Sequence, residues 1–208
     1  MLKKIIFMGT PLFAVPVLKS LYQNGYPISA VYTQPPRKSH RGMDVKPTPI
    51  QSLSETLNLE FRTPSSIKNN KEEYDYIKKL EADIAVVVAY GQILPKEILN
   101  LTKKGFINVH ASILPKLRGP APIQRSLMNL DKQTGISIMK IAEKLDTGPI
   151  CNSYPLNILE GENIESLSER LSLLAAEKIL DDIDDILEDK KVFKSQDDSQ
   201  ATYASKIL

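Results

Sequence analysis

Asn108, His110 and Asp146 are the residues whose types and spacing can act together chemically. Asn108 and His110 lie two apart near the end of Gly105 to His110, a segment that reads as a strand, so their side chains share one face. A donor amide and an imidazole then stand on one wall. Taken alone they would equally suit a satisfied turn amide and a hydrogen-bonded core histidine. The loop that follows, Ser112-Ile113-Leu114-Pro115-Lys116-Leu117-Arg118-Gly119, mixes apolar residues with positions of fixed or permissive backbone, and binding residues concentrate in such loops. Asp146-Thr147-Gly148 supplies a carboxylate from a second loop. Aspartic protease chemistry would need two such carboxylates sharing a proton in an all-β setting, and neither is found. Asp146 is read as the acid that orients and charges the His110 imidazole, with a turn-forming Asp as the plainer alternative.

The segments around these residues must place them at the carboxyl ends of strands, where ligands bind in open α/β sheets. Ile5 to Met8 is a short apolar run ending at Gly9-Thr10-Pro11, and Phe13, Val17, Leu18 and Leu21 then recur at helical spacing up to Asn24-Gly25. Ile28 to Thr33 reads as a strand, Gln34 to Lys46 as a long loop, Pro49 to Asn58 and Asn70 to Leu80 as helices. Asp83 to Ala89 is apolar nearly throughout, the mark of a strand buried on both faces of a parallel sheet. A short helix follows Pro122, strands are expected around Ile136 to Ile141 and over Ile150 to Pro155, and Ile164 to Glu188 forms a long helix. Strands alternating with helices predict an α/β fold: a doubly wound, mostly parallel, Rossmann-like sheet with helices on both faces. After Lys194 the pattern fades into a linker or surface-hugging tail.

The chain has 208 residues, 42% hydrophobic and 25% charged, and can bury a core without staples. With 27 basic residues against 25 acidic, the net charge neither predicts nor excludes a nucleic-acid partner. The distribution is uneven: between Asp181 and Asp198 eight acids face three lysines, leaving 24 basic against 17 acidic residues elsewhere. The acids from Asp181 to Asp189 are read as a solvated helix face and not as a metal site, and no metal is expected. Cys151 is alone, which excludes an intrachain disulfide and a Cys-rich zinc site and suits a reducing compartment. Gly9-Thr10-Pro11 and Pro16 break the signal-peptide-like opening of Lys3-Lys4 and Ile5 to Met8, and no apolar run reaches the roughly 18 to 20 residues that span a bilayer. No membrane partner is expected, and the cytoplasm is the expected location. No G-x-G-x-x-G or G-x-x-x-x-G-K-[ST] occurs, so neither a dinucleotide nor a P-loop site is supported.

Seven blocks, in order, carry a resemblance: Phe7-Met8-Gly9-Thr10-Pro11, Thr33-Gln34-Pro35, Val88-Ala89-Tyr90-Gly91-Gln92-Ile93-Leu94-Pro95, Asn108-Val109-His110, Ser112-Ile113-Leu114-Pro115, Arg118 to Gln124, and Leu145-Asp146-Thr147-Gly148. From Ile5 to about Ile207 the sequence resembles the methionyl-tRNA formyltransferases. The Asn, His, Ser-x-Leu-Pro and Asp elements are common to folate-dependent formyltransferases, whereas Pro120 to Gln124 with Arg125-Ser126-Leu127 is more specific. The resemblance implies transfer of a formyl group from 10-formyltetrahydrofolate, a co-substrate, to the α-amine of initiator methionyl-tRNA. It implies catalytic roles for Asn108, His110 and Asp146. It also implies folate walls from Ser112, Ile113, Leu114 and Pro115, from Val88, Tyr90, Gly91, Gln92, Ile93 and Leu94, and from Ala142 to Asp146. Arg41, with Arg37 and Lys38, is the expected tRNA contact. The sequence departs from the family at Leu12, where an acid is common, at Ala111, where Gly is usual, and at Met43-Asp44, where two lysines are frequent.

Residues 1–189 are accordingly expected to be the catalytic domain and 190–208 a linker toward the β-barrel domain that follows in the family. A monomer is expected. Two rivals bracket this reading: a folate-dependent sugar-nucleotide N-formyltransferase with the same three catalytic residues, and a non-catalytic folate- or nucleotide-binding module on the same sheet. The basic loop and Pro120 to Leu127 favour tRNA over a sugar, and the retention of all three catalytic residues disfavours the module.

Overall fold

The computed structural model describes residues 3–38 and 45–207, and divides into two compact units, residues 1–106 and 107–208. In the first unit the opening apolar run forms β1 (Ile5–Gly9), a 3-10 turn covers Leu12–Ala14, and α1 spans Val15–Gln23. Pro16 sits in the first turn of α1, where its missing N–H costs nothing, and Val17, Leu18 and Leu21 make the buried face. Next come β2 (Ile28–Tyr32), β3 (Arg37–Lys38), β4 (Val45–Lys46), α2 (Pro49–Thr56), β5 (Phe61–Arg62), α3 (Lys71–Leu80), β6 (Ile84–Val88) and α4 (Lys96–Leu99).

Within this unit β5, β2, β1 and β6 lie side by side in that order and every pairing is parallel, with Phe7 opposite both Val31 and Val86. All five residues of β1 and all five of β6 are buried, as an apolar run with no polar alternation requires. Asn70 and Thr48 cap α3 and α2 through their side chains. A buried polar cluster crosses from sheet to helix: Glu73 accepts from Tyr32 Oη at 2.7 Å and from Arg62 Nε at 2.7 Å. Burial and the Glu73 carboxylate together push the Tyr32 hydroxyl far above its ordinary range.

In the second unit β7 (Phe106–His110), β8 (Gln133–Lys140) and β9 (Ile150–Asn157) pair antiparallel, with α5 (Pro122–Met128) and α6 (Ile164–Leu187) between and after them. Asn163 and Ser166 close a capping box at the start of α6. Leu167, Leu171, Ala175, Ile179, Ile183 and Ile186 then bury one stripe.

Several elements differ from expectation. The segment read as a loop from Gln34 to Lys46 contains the paired strands β3 and β4, with Arg37 opposite Lys46, while residues 39–44, including Arg41 and Met43-Asp44, lie outside the described residues. β3, β4 and β5 are two residues long, too short to show a period of two. The expected run of solvated acids fails at Asp182. It is fully buried on α6, accepting from Asn152 Nδ2 at 2.7 Å and Tyr154 Oη at 2.9 Å, with Lys191 Nζ at 2.9 Å. Its charge is carried inward because the β9 side chains and the lysine satisfy it.

Candidate active site

β7 ends in the two residues singled out by spacing. Asn108 is half-buried and pairs across the sheet with Met139, while His110 is only 6% exposed and pairs with Ser137. His110 Nε2 lies 3.0 Å from the carbonyl oxygen of Leu117, which can only accept, so Nε2 is the protonated nitrogen. Nδ1 faces Asp146 Oδ2 at 3.7 Å, an ion-pair distance too long for a hydrogen bond. Nδ1 is therefore the ring nitrogen turned toward the carboxylate. The Asn108 amide makes no hydrogen bond to another described residue, so its N–H groups are available to a ligand.

Asp146 is held from two sides. Its Oδ2 accepts from the Gly119 backbone N–H at 2.8 Å, and its backbone sits in the left-handed region at φ 49°, a conformation aspartate tolerates. Gly119 has φ 115°, and a Cβ there would come within 2.9 Å of the Ala204 carbonyl oxygen, so both conformation and space require glycine. Gly148, two residues beyond Asp146, is equally confined, since an added Cβ would meet the Lys140 carbonyl oxygen.

The loop after His110 is folded on itself. Ser112 Oγ donates to Lys116 O at 2.6 Å, Ser137 Oγ donates to Ser112 O at 2.8 Å, and Leu114 N donates to Ser137 Oγ at 3.0 Å. Ser112 and Leu114 are buried, whereas Ile113 and Pro115 are half-buried. The Ser112 hydroxyl is thus committed within the loop, which leaves the loop's shape as the contribution of these residues to a ligand wall. Ser137 anchors this loop from β8, and nothing in the local pattern Thr-Gly-Ile-Ser-Ile marked it.

The polar chain end proved to be part of the same framework. Lys194 and Ile150 exchange backbone hydrogen bonds at 2.8 Å each. Thr202 Oγ1 accepts from Leu117 N at 2.8 Å, Arg118 N donates to Thr202 O at 2.9 Å, and Ala204 N donates to Arg118 O at 2.7 Å. Arg118, 2% exposed, spends its guanidinium on Gln196 and Asp198. These partners were invisible in the sequence because they pair through backbone or through single polar residues without periodicity.

In the first unit, the segment after β6 holds the remaining expected folate residues. Val88, Tyr90 and Leu94 are buried, Gln92 is half-buried, and Gly91 and Ile93 are exposed. The Tyr90 carbonyl accepts from Thr10 Oγ1 at 2.8 Å and from Gln34 Nε2 at 3.0 Å, which fastens the loops leaving β1, β2 and β6 to one another. Gly91 has φ 82°, and a Cβ on it would collide with the Gln34 side chain. The Gln92 amide is occupied by Ile67 N at 2.8 Å and Pro64 O at 2.9 Å, so it shapes the segment. The Tyr90 hydroxyl is buried with no hydrogen-bond partner among the described residues, an unmet donor at the carboxyl end of β6.

Cys151, on β9, is half-buried, and burial with the Asp182 charge pushes its thiol up to about 11. At pH 7.5 its thiolate fraction is correspondingly small. Iodoacetamide is expected to alkylate Cys151 about 10²-fold more slowly than free cysteine, read by mass spectrometry, and Cys151→Ser is expected to retain activity. Rapid labelling at neutral pH would contradict this. Among the described residues no group of His, Cys, Asp or Glu could hold a metal ion, and no helix is long and apolar enough to cross a membrane.

With this geometry in view, comparison with known proteins is informative. Residues 3–183 match the family described as Formyl transferase. Over 207 residues the chain is 63% identical to the methionyl-tRNA formyltransferase of Pelagibacter ubique, covering all of this chain and 67% of that protein. It is 42% identical over 204 residues to the methionyl-tRNA formyltransferase of Methylococcus capsulatus, covering 98% of this chain and 66% of that one. The chain therefore spans about two thirds of the length of these curated relatives. Among solved structures, an N-formyltransferase from Helicobacter canadensis in complex with folinic acid and dTDP-3-aminofucose superimposes with a TM-score of 0.75 at 18% identity, over 99% of this chain and 71% of that one. Glycinamide ribonucleotide transformylase 1 from Symbiobacterium toebii gives 0.73 at 16% identity, with 95% of each chain covered. Likeness at that identity establishes the shared α/β fold.

Proposed function

Because this chain belongs to the formyl transferase family, among the methionyl-tRNA formyltransferases, we propose that it transfers the formyl group of 10-formyltetrahydrofolate to the α-amine of methionine on initiator tRNA. The observation that carries the proposal is the grouping in one unit of a buried imidazole, a carboxylate 3.7 Å from it, and an amide with free N–H groups on the same strand.

The residues fit the chemistry. An amine attacking a formyl carbon places negative charge on the formyl oxygen, and a preorganised donor aimed at that charge is typically the largest catalytic contribution. The Asn108 amide is that donor, with the His110 ring beside it. The attacking nitrogen must lose a proton and the departing folate nitrogen must gain one. His110 Nδ1 can take up and return that proton, with Asp146 balancing the ring's positive charge meanwhile. No covalent bond to the protein is required, since the folate amine leaves directly. When bound, the folate supplies an already activated formyl group.

Ser112 to Pro115, Ala142 to Asp146 and Val88 to Leu94 are the proposed walls for the folate. The backbone after β6 offers hydrogen-bonding groups of the kind a pterin edge needs. Arg37 and Lys38, with Arg41, are the proposed contacts to tRNA phosphates, which confer affinity that weakens with salt. The reaction involves no metal step, and the cytoplasm, where initiator tRNA is charged, is the proposed location.

The deciding assay presents formyl-labelled 10-formyltetrahydrofolate with methionyl-tRNA and, separately, with amino-sugar nucleotides. Label is expected on the tRNA-bound methionine. Label on the sugar alone would replace this reading with the sugar-nucleotide one.

A further inference from the structure

Gln196 lies in the polar segment beyond Lys194, half-buried, and all its hydrogen-bonding groups are engaged. Its Nε2 donates to the carbonyl oxygens of Asp146 at 2.9 Å and Gly148 at 2.8 Å. Its Oε1 accepts from Arg118 Nε at 3.0 Å and Nη2 at 2.8 Å. The residues on either side of Arg118 are the ones that hold the catalytic pair: Leu117 accepts from His110 Nε2, and Gly119 donates to Asp146 Oδ2. One amide thus joins the Asp146 turn to the 117–119 segment.

We propose that Gln196 is a positioning residue that fixes Asp146 relative to His110; the proposal rests on the formyl-transfer reading of the site. The Asp146 turn needs such a clamp. Asp146 is in the left-handed region, and its carboxylate sits at a distance from the ring where a small drift changes the electrostatics. A backbone held from both ends by a bidentate amide loses that freedom. Displacement of a catalytic group by about 1 Å typically costs about 10²-fold in rate.

The test uses the full-length enzyme and the variants Gln196→Met and Gln196→Glu. Met keeps the side-chain length and removes every hydrogen bond. Glu keeps an acceptor for Arg118 but sets carboxylate oxygens against the two carbonyls of the turn. Both are expected to lower kcat about 10- to 100-fold while KM for folate and tRNA stays within about threefold; both should melt lower, since Arg118 or the turn carbonyls lose partners, so kcat is compared at a temperature where all variants are folded. In an Asp146→Asn background, Gln196→Met is expected to add less than about threefold, because the group it positions no longer carries its charge.

The ring resonances of His110 provide a readout independent of turnover: Gln196→Met should move them in the direction that Asp146→Asn does. If Gln196→Glu retains wild-type kcat, or if Gln196→Met costs its full factor on top of Asp146→Asn, Gln196 merely satisfies Arg118 and the proposal falls. Wild-type enzyme that transfers no formyl group would overturn the reading of the reaction instead, and the resonances would still judge the positioning role.

Discussion

His110→Ala is expected to lower formyl transfer to methionyl-tRNA by about 10³-fold or more, with the protein still folded. The imidazole is the group near the Asn108 wall that can serve as general base and acid, and general acid-base catalysis by a positioned side chain contributes about 10²- to 10⁴-fold. A loss of 10³ corresponds to about 4 kcal/mol of transition-state stabilisation. The fold should feel far less. The ring makes one hydrogen bond, to the Leu117 carbonyl, and removing a buried partner of this kind costs about 1 to 3 kcal/mol. Single-turnover transfer and thermal melting measured on the same preparation separate the two effects. Turnover within tenfold of wild type would remove His110 from the mechanism.

Asp146→Asn is expected to produce a loss of similar order, about 10²- to 10⁴-fold, by a different route. The substitution preserves shape and an acceptor for the Gly119 N–H, and asparagine tolerates the left-handed backbone at this position. What disappears is the negative charge beside His110 Nδ1. Asp146→Ala removes the charge and also leaves the Gly119 N–H unsatisfied, so it should match Asn in activity but melt lower. If Asn restored most of the activity that Ala loses, the carboxylate would serve only to hold the loop, and charge would play no part.

The placing of Asn108 and His110 on one strand was legible in the sequence because strand alternation is local: two positions apart on β7 means one face, whatever the rest of the chain does. Asp146 was tied to them less firmly, as a carboxylate in a second loop that a turn-forming Asp would equally explain, since the contact between the 110 and 146 positions spans a loop, a helix and a strand. The parallel strands were legible for the same reason as β7, through unbroken apolar runs at Ile5 to Met8 and Asp83 to Ala89. Asp182 was not. Its place on α6 falls between apolar positions, and only the β9 side chains that meet it explain a buried carboxylate there. Gln196 and Thr202 were hidden more deeply. A polar segment with no period carries no signal of backbone pairing, and its partners lie some 50 to 85 residues earlier in the chain.

The stitching of residues 194–204 onto the 115–121 loop bears on how this protein can be trimmed or fused. A boundary drawn after α6, where the helical pattern stops, would keep β7, β8, β9, α5 and α6. It would also cut away the backbone that Leu117, Arg118 and Ala121 grip. A shortened version ending near residue 190 should therefore show normal far-ultraviolet dichroism yet a slack Asp146 loop. Any tag or partner domain belongs beyond Ala204.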